Sequence, residues 1–242
     1  MSEGVDSLIV LPGLDGTGRW LSDFAAALPT ALGCRIIQYP LDQPLGYEAL
    51  LARVLAELPA SGRYALLAES FSGPIGIRVA ATRPPGLSAL VLCGTFASNP
   101  FPYLRWARPL AVRAPLKSLP TWFRRLTMWG RTARHIPAGH ERGLARVEPA
   151  VVRARIASIF AVDARADLQK IDVPVLVMRG TRDRVVSRRA SGAMLPSLRN
   201  ARGIDVEGPH LLLQSRPQQC AAAVLTFLHG AGRSNPVRFT QR

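Results

Sequence analysis

The sequence predicts an α/β fold: a mostly parallel, twisted sheet of about six strands, with helices on both faces and an inserted helical cap. Three observations lead there. Short apolar runs alternate with helical patterns along the chain. Most of those runs are apolar at every position, as a parallel strand covered on both sides must be. The alternation stops after Cys93 and resumes at Val173, across a stretch rich in proline.

The strands are expected at residues 7–11 (SLIVL), 34–38 (CRIIQ), 64–68 (YALLA), 89–93 (ALVLC), 173–178 (VPVLVM) and 203–206 (GIDV). Between them, residues 47–58 place Leu50, Leu51, Val54, Leu55 and Leu58 at helical spacing. Helices also fit residues 20–27, 73–81, 188–195 and 218–228. Strand followed by helix, repeated, is the pattern of a parallel sheet with right-handed crossovers. The interruption holds Pro100, Pro102, Pro109, Pro115, Pro120, Pro137 and Pro149 among short aromatic and arginine-rich pieces. These features divide the chain into a core of residues 1–98 and 171–231, a cap insertion at 99–170 and a loosely ordered tail at 232–242.

Composition narrows the class. With 242 residues, 48% of them hydrophobic, the chain can bury a real core, and 20 Gly and 20 Pro without a period exclude collagen-like and low-complexity sequences. The formal net charge is +15, and all the basic residues except Lys117 and Lys170 are arginine. The excess is lopsided: the first 60 residues are net acidic, and the positive charge concentrates between residues 100 and 170. Such a field suits an anionic partner, while the arginine bias equally fits a skewed genome composition. Cys34, Cys93 and Cys220 form neither a disulfide framework nor a metal cluster. A reducing cytoplasm is expected, since the N-terminus lacks the basic, apolar pattern of a signal peptide and no apolar run reaches the length of a membrane span.

The chemistry concentrates at three turns. The YALLA run leads directly into Glu69, Ser70, Phe71, Ser72 and Gly73 and then a helical pattern, a strand-to-helix serine turn flanked by the small residues Ala68 and Ser72. After VPVLVM come Gly180 and, three residues on, Asp183; after GIDV come Gly208, Pro209 and His210. Asp183 could also serve as a turn former that caps Val185 or Val186. No acid lies between Glu69 and Glu141, His135 and His140 lack a preceding strand, and His229 falls late in the final helical pattern, which favours Asp183 and His210 as partners of the serine. The order Ser70, Asp183, His210 resembles that of the α/β-hydrolase superfamily.

That resemblance implies a serine hydrolase. Ser70 would be the nucleophile, His210 the base and Asp183 its orienting acid, with the backbone amides of Leu14 and Phe71 holding the oxyanion. Many relatives carry His-Gly where this chain has Pro12 and Gly13. Gly16 and Gly18 do not complete a dinucleotide loop, because position 21 is Leu. Neither a metal nor an organic cofactor is required. A serine in the elbow, where dehalogenases and epoxide hydrolases of this fold carry aspartate, points to cleavage of carboxylic esters. Thioester hydrolysis or acyl transfer is the neighbouring alternative, and a binding protein on a hydrolase scaffold is the different one.

The cap suggests what surrounds the substrate. Trp106, Trp122, Phe123, Arg124, Arg125 and Trp129 lie in a stretch from Pro100 to Ile136 that holds eight basic residues and no acid. An apolar pocket with a basic rim would suit an anionic or carrier-linked acyl substrate, including one on an acidic acyl carrier protein. Nucleic acid is a disfavoured partner. The same residues equally read as aromatics packing the cap with solvated arginines around them.

Overall fold

The computed structural model describes residues 4–103 and 146–230. Its core is a six-stranded parallel sheet in the order β2-β1-β3-β4-β5-β6. The strands are β1 (Ser7–Leu11), β2 (Gly33–Ile36), β3 (Tyr64–Glu69), β4 (Leu87–Cys93), β5 (Val175–Gly180) and β6 (Ala201–Val206). The helices are α1 (Ser22–Ala26), α2 (Tyr47–Ala56), α3 (Gly73–Ala81), α4 (Pro149–Ala161), α5 (Arg165–Leu168), α6 (Arg188–Gly192), α7 (Leu212–Ser215) and α8 (Pro217–Gly230).

Alternation along each strand sends side chains into two apolar layers. Ile9, Leu11, Leu66, Ala68, Leu90, Leu92, Val175 and Val177 face one way and meet Leu50 and Val54 of α2, Ile75 and Val79 of α3, and Leu168 of α5. Leu8, Val10, Ala65, Leu67, Ala89, Val91, Leu176 and Met178 face the other way and meet Phe24 of α1, Leu212 of α7, and Val224 and Phe227 of α8. The four inner strands β1, β3, β4 and β5 are buried on both sides over most of their length, which is why their sequences are apolar runs rather than apolar-polar alternations.

The expected strands and helices are present, with shifted ends. β5 starts at Val175 rather than 173, because Pro174 has no amide to place in the ladder; its carbonyl still accepts from Leu90 at 2.9 Å. The helix expected at 20–27 divides into a 3-10 turn at Arg19–Leu21 and the short α1. The helix expected at 188–195 ends at Gly192 and is followed by a 3-10 turn carrying Pro196. Arginine-rich α6 is capped by Ser187, whose side chain accepts from the Ala190 amide at 3.1 Å.

The stretch between β4 and β5 leaves and rejoins the sheet region at one place. Ser98 and Asp163 form an antiparallel bridge, the Asn99 amide donates to Val162, and the Ala164 amide donates to Ala97. α4 and α5 belong to its returning limb. Trp106, Trp122, Phe123, Arg124, Arg125 and Trp129, expected in a cap, lie outside the described residues, as does the expected tail from 232. Among the described residues, no helix is long and apolar enough to cross a membrane.

Candidate active site

The carboxyl ends of β3, β5 and β6 converge on one pocket. β3 delivers its chain into a 3-10 turn, Ser70–Ser72, and then α3. Ser70 has φ 48°, a left-handed conformation unusual for a residue with a side chain. Three bonds hold that turn: Thr95 Oγ1 donates to the Ser70 carbonyl, the Gly73 amide to the same carbonyl, and the Tyr47 hydroxyl to the Phe71 carbonyl at 2.9 Å. The Tyr47 ring also stacks on Phe71, with centroids 4.8 Å apart. A Cβ at Gly73 would lie 1.8 Å from Thr95 Oγ1, so no other residue fits there without displacing the turn.

The small residues around the serine have distinct tasks. Ala68 faces Gly76 of α3, where an added Cβ would come within 2.6 Å, and so lets helix and strand approach. Ser72 is fully buried and acts through its hydroxyl, which donates to the Pro12 carbonyl and accepts from the Tyr39 hydroxyl at 2.7 Å. It thereby ties the elbow to the loop that follows β1.

Ser70, His210 and Asp183 form a continuous hydrogen-bonded chain. Ser70 Oγ lies 2.8 Å from His210 Nε2, and His210 Nδ1 lies 2.8 Å from Asp183 Oδ2. The side chains of His210 and Asp183 are 3% and 1% exposed, so the pair is shielded from competing water. The other Asp183 oxygen accepts from the amides of Val185 and Val186 at 2.8 and 2.9 Å. One Asp183 oxygen thus faces the imidazole while the other takes the turn donors. The turn donors fix the carboxylate, and the carboxylate orients the imidazole.

Three further aspartates lie elsewhere. Asp205, on β6, is engaged by Arg179 and Arg188. Asp163 pairs with Arg165, and Asp167 with Lys170. Cys93 and Cys220 are buried and unbridged, and burial pushes both thiols up. Among the described residues, no group of His, Cys, Asp or Glu has a metal-binding arrangement.

The pocket in front of Ser70 is a narrow cleft of about 50 Å³, with Leu14, Trp20, Glu69, His210 and Gln214 in its wall. Leu14 belongs to the tight loop after β1, where the Gly16 amide donates to the Gly13 carbonyl at 3.0 Å. Phe71 follows the serine and is 1% exposed. The two residues expected to offer backbone donors thus flank Ser70 from two different loops.

Glu69 is the least expected member of the wall. It is 4% exposed, receives Gln214 Nε2 at 2.7 Å and accepts from the Gly13 amide. Burial raises its carboxyl to about 7, with the nearby Asp15 adding to the rise and the Gln214 bond and His210 opposing it. Arg155, Thr95, Tyr39, Tyr47 and Gln214 also support the site and had no motif of their own. For Glu69 the sequence did hold a signal, an acid that terminates an otherwise apolar strand.

A sequence model of the alpha/beta hydrolase family matches residues 8–223. Three solved structures share the fold. One is an enol-lactonase from Burkholderia xenovorans, with TM-score 0.77, 17% identity and coverage of 93% of this chain and 92% of that one. A hydrolase from Pseudomonas aeruginosa has TM-score 0.75 and 24% identity over 94% and 91%. A putative lipase from Acinetobacter baumannii has TM-score 0.74 and 18% identity over 94% and 85%. With nine-tenths of the sequence inside the family match and the same sheet underneath it, the chain belongs to the alpha/beta hydrolase family.

Proposed function

We propose that the protein is a serine hydrolase that cleaves carboxylic esters through an acyl-enzyme. The observation that carries this reading is the pair of 2.8 Å contacts linking Ser70 to His210 and His210 to Asp183, at the end of a strand that holds the serine at positive φ. In the first half-reaction, Ser70 Oγ attacks the acyl carbon and its proton passes to His210 Nε2. Asp183 Oδ2 accepts from Nδ1–H and stabilises the imidazolium. The carbonyl oxygen becomes an oxyanion held by the Leu14 and Phe71 amides. Collapse breaks the bond to the leaving alkoxy oxygen, which takes the proton from His210. Water then attacks the acyl-enzyme, with His210 as base, and Ser70 recovers its proton as the acid departs.

The core of residues 1–98 and 171–231 supplies all of these groups, and residues 99–170 are proposed as the cap insertion. The test is covalent labelling by a fluorophosphonate, together with turnover of p-nitrophenyl esters and acyl thioesters by wild type and Ser70→Ala. Labelling and ester turnover that vanish in a folded Ser70→Ala variant, with a loss of about 10⁴-fold or more, are expected. Wild-type turnover by that variant would refute the assignment. Higher kcat/KM on thioesters than on esters would move the activity to thioester cleavage.

A further inference from the structure

Arg155 is 1% exposed and the largest fully buried side chain among the described residues. It projects from α4, on the returning limb of the insertion, to the loop after β1. Its Nη1 donates to the Leu14 carbonyl at 2.8 Å and its Nη2 to the Pro40 carbonyl at 2.8 Å. The guanidinium lies 5.7 Å from the centroid of the Tyr39 ring, with Asp15 as its nearby counter-charge. Taking a guanidinium out of water is costly, and an apolar residue of similar volume would fill the space with no such penalty. Packing therefore does not account for an arginine at this position; what it holds does.

We propose that Arg155 is a positioning residue for the oxyanion site, fixing the direction of the Leu14 amide through the Leu14 carbonyl. This rests on the function proposed above. The Leu14 N–H shares a rigid peptide plane with the Gly13 carbonyl, which is tied by the Gly16 amide at 3.0 Å. The next plane carries the Leu14 carbonyl, which is tied by Arg155. With both planes held, neither backbone dihedral of Leu14 is free, and the N–H keeps its aim as charge develops on the substrate oxygen. A donor aligned in advance needs no reorganisation in the transition state.

The loop is shaped to the guanidinium. At Gly16, φ is +70°, and a Cβ there would lie 2.6 Å from Arg155 Nη1 and 2.9 Å from the Tyr39 side chain. The Gly16 carbonyl in turn accepts from the Tyr39 amide at 2.8 Å. A planar fork serves two carbonyls from separate segments at once, which the single ammonium of lysine on a flexible stem does less well. Through Arg155, the limb that returns from the insertion is mechanically joined to the group that stabilises the oxyanion.

The experiment uses the full chain carrying Arg155→Met or Arg155→Lys, with Arg153→Met as control, since Arg153 is exposed on the same helix. For each variant, kcat and KM on a p-nitrophenyl ester are measured well below its Tm, together with inhibition by a trifluoromethyl ketone, whose adduct carries an oxyanion. Arg155→Met is expected to lower kcat by about 10- to 100-fold with little change in KM, and to weaken the ketone by a similar factor. Arg155→Lys should fall between it and the wild type, and Arg153→Met should match the wild type. An Arg155→Met kcat equal to wild type, or a lowered kcat with undiminished ketone affinity, overturns the proposal.

A crystal structure of the phosphonylated wild-type protein decides the matter if the variants do not fold. It should show the Leu14 amide on the phosphonyl oxygen with Arg155 still on the Leu14 carbonyl. An oxygen bound by other donors, or a displaced guanidinium, overturns the proposal. Loss of the underlying function has a different signature, namely no Ser70-dependent phosphonylation in the wild type.

Discussion

From Tyr64 to Ala68, β3 buries five residues whose one polar side-chain atom is the Tyr64 hydroxyl. In the next five, Glu69 to Gly73, nearly every group has a named partner: Gln214 for Glu69, His210 and Thr95 for Ser70, Tyr47 for Phe71, and Pro12 and Tyr39 for Ser72. The two halves of this short segment follow different rules. In the first, burial is non-directional, and any apolar side chain of the right volume does nearly as well. In the second, each contact is directional, so a change of one atom can remove a function while leaving the fold in place.

That contrast can be broken from either side. The largest expected effect is Asp183→Asn at the carboxyl edge. The Asn carbonyl keeps the turn donors of Val185 and Val186, so its NH₂ faces His210 Nδ1 and imposes the tautomer with the proton on Nε2. Such a ring cannot take the proton from Ser70, and kcat should fall about 10⁴-fold with Tm nearly unchanged. Equal loss of stability and activity would mean that the carboxylate acts through the fold.

Leu67→Ala makes the opposite change, in the strand middle, where Leu67 is fully buried. It should destabilise by about 2–5 kcal/mol, lowering Tm on the order of 10 °C, while kcat measured in the cold stays near wild type. Ser72→Ala falls between the two. It frees the Pro12 carbonyl and leaves the Tyr39 hydroxyl without its acceptor, at about 1–3 kcal/mol. Urea melts and steady-state kinetics on the same samples separate the components.

The smallest effect tests Glu69. Its folded value of about 7 lies above the ordinary 4.5, so the folded protein holds this proton where the unfolded chain has lost it. The stability this proton confers is complete below about pH 4.5 and is lost as pH rises through about 7. Glu69→Gln imitates the protonated form and accepts from Gln214 as before. Its unfolding free energy should therefore fall less than that of the wild type between pH 5 and 8, by on the order of 2 kcal/mol. Parallel pH profiles for the two proteins would show that Glu69 is ionised in the fold.

The same contrast explains what the sequence made legible. Periodicity reports burial, and so the six strands, both helical layers and the break after Cys93 could be read directly, with errors in element ends, such as those set by Pro174 and Gly192, and in the helix expected at 20–27, which divides. That Ser70, Asp183 and His210 meet in one hydrogen-bonded chain could be anticipated because each follows a recognisable strand and they occur in a telling order. Arg155 could not. It is one of 29 arginines, on a helix with exposed Arg153 two positions earlier, and it has no local signature, since its burial is decided by carbonyls more than 100 residues away. Gln214 and Thr95 are invisible for the same reason. Directional partners are chosen in three dimensions, and nothing in the neighbouring sequence records the choice.

The hydrogen-bonded chain from Ser70 to His210 spans 140 residues, and Asp183 is 27 residues before the histidine. β4, β5 and β6 lie between the serine and the histidine in the chain, so, on the function proposed above, a folding intermediate that has not placed the loop after β6 leaves Ser70 without its base. For a chain that is still being synthesised, the serine emerges early and stays harmless until nearly the whole sheet has been laid down. Covalent labelling of Ser70 is therefore also a clock for folding. A phosphonate pulse during refolding or translation would mark molecules that have closed the last crossover and pass over all the others.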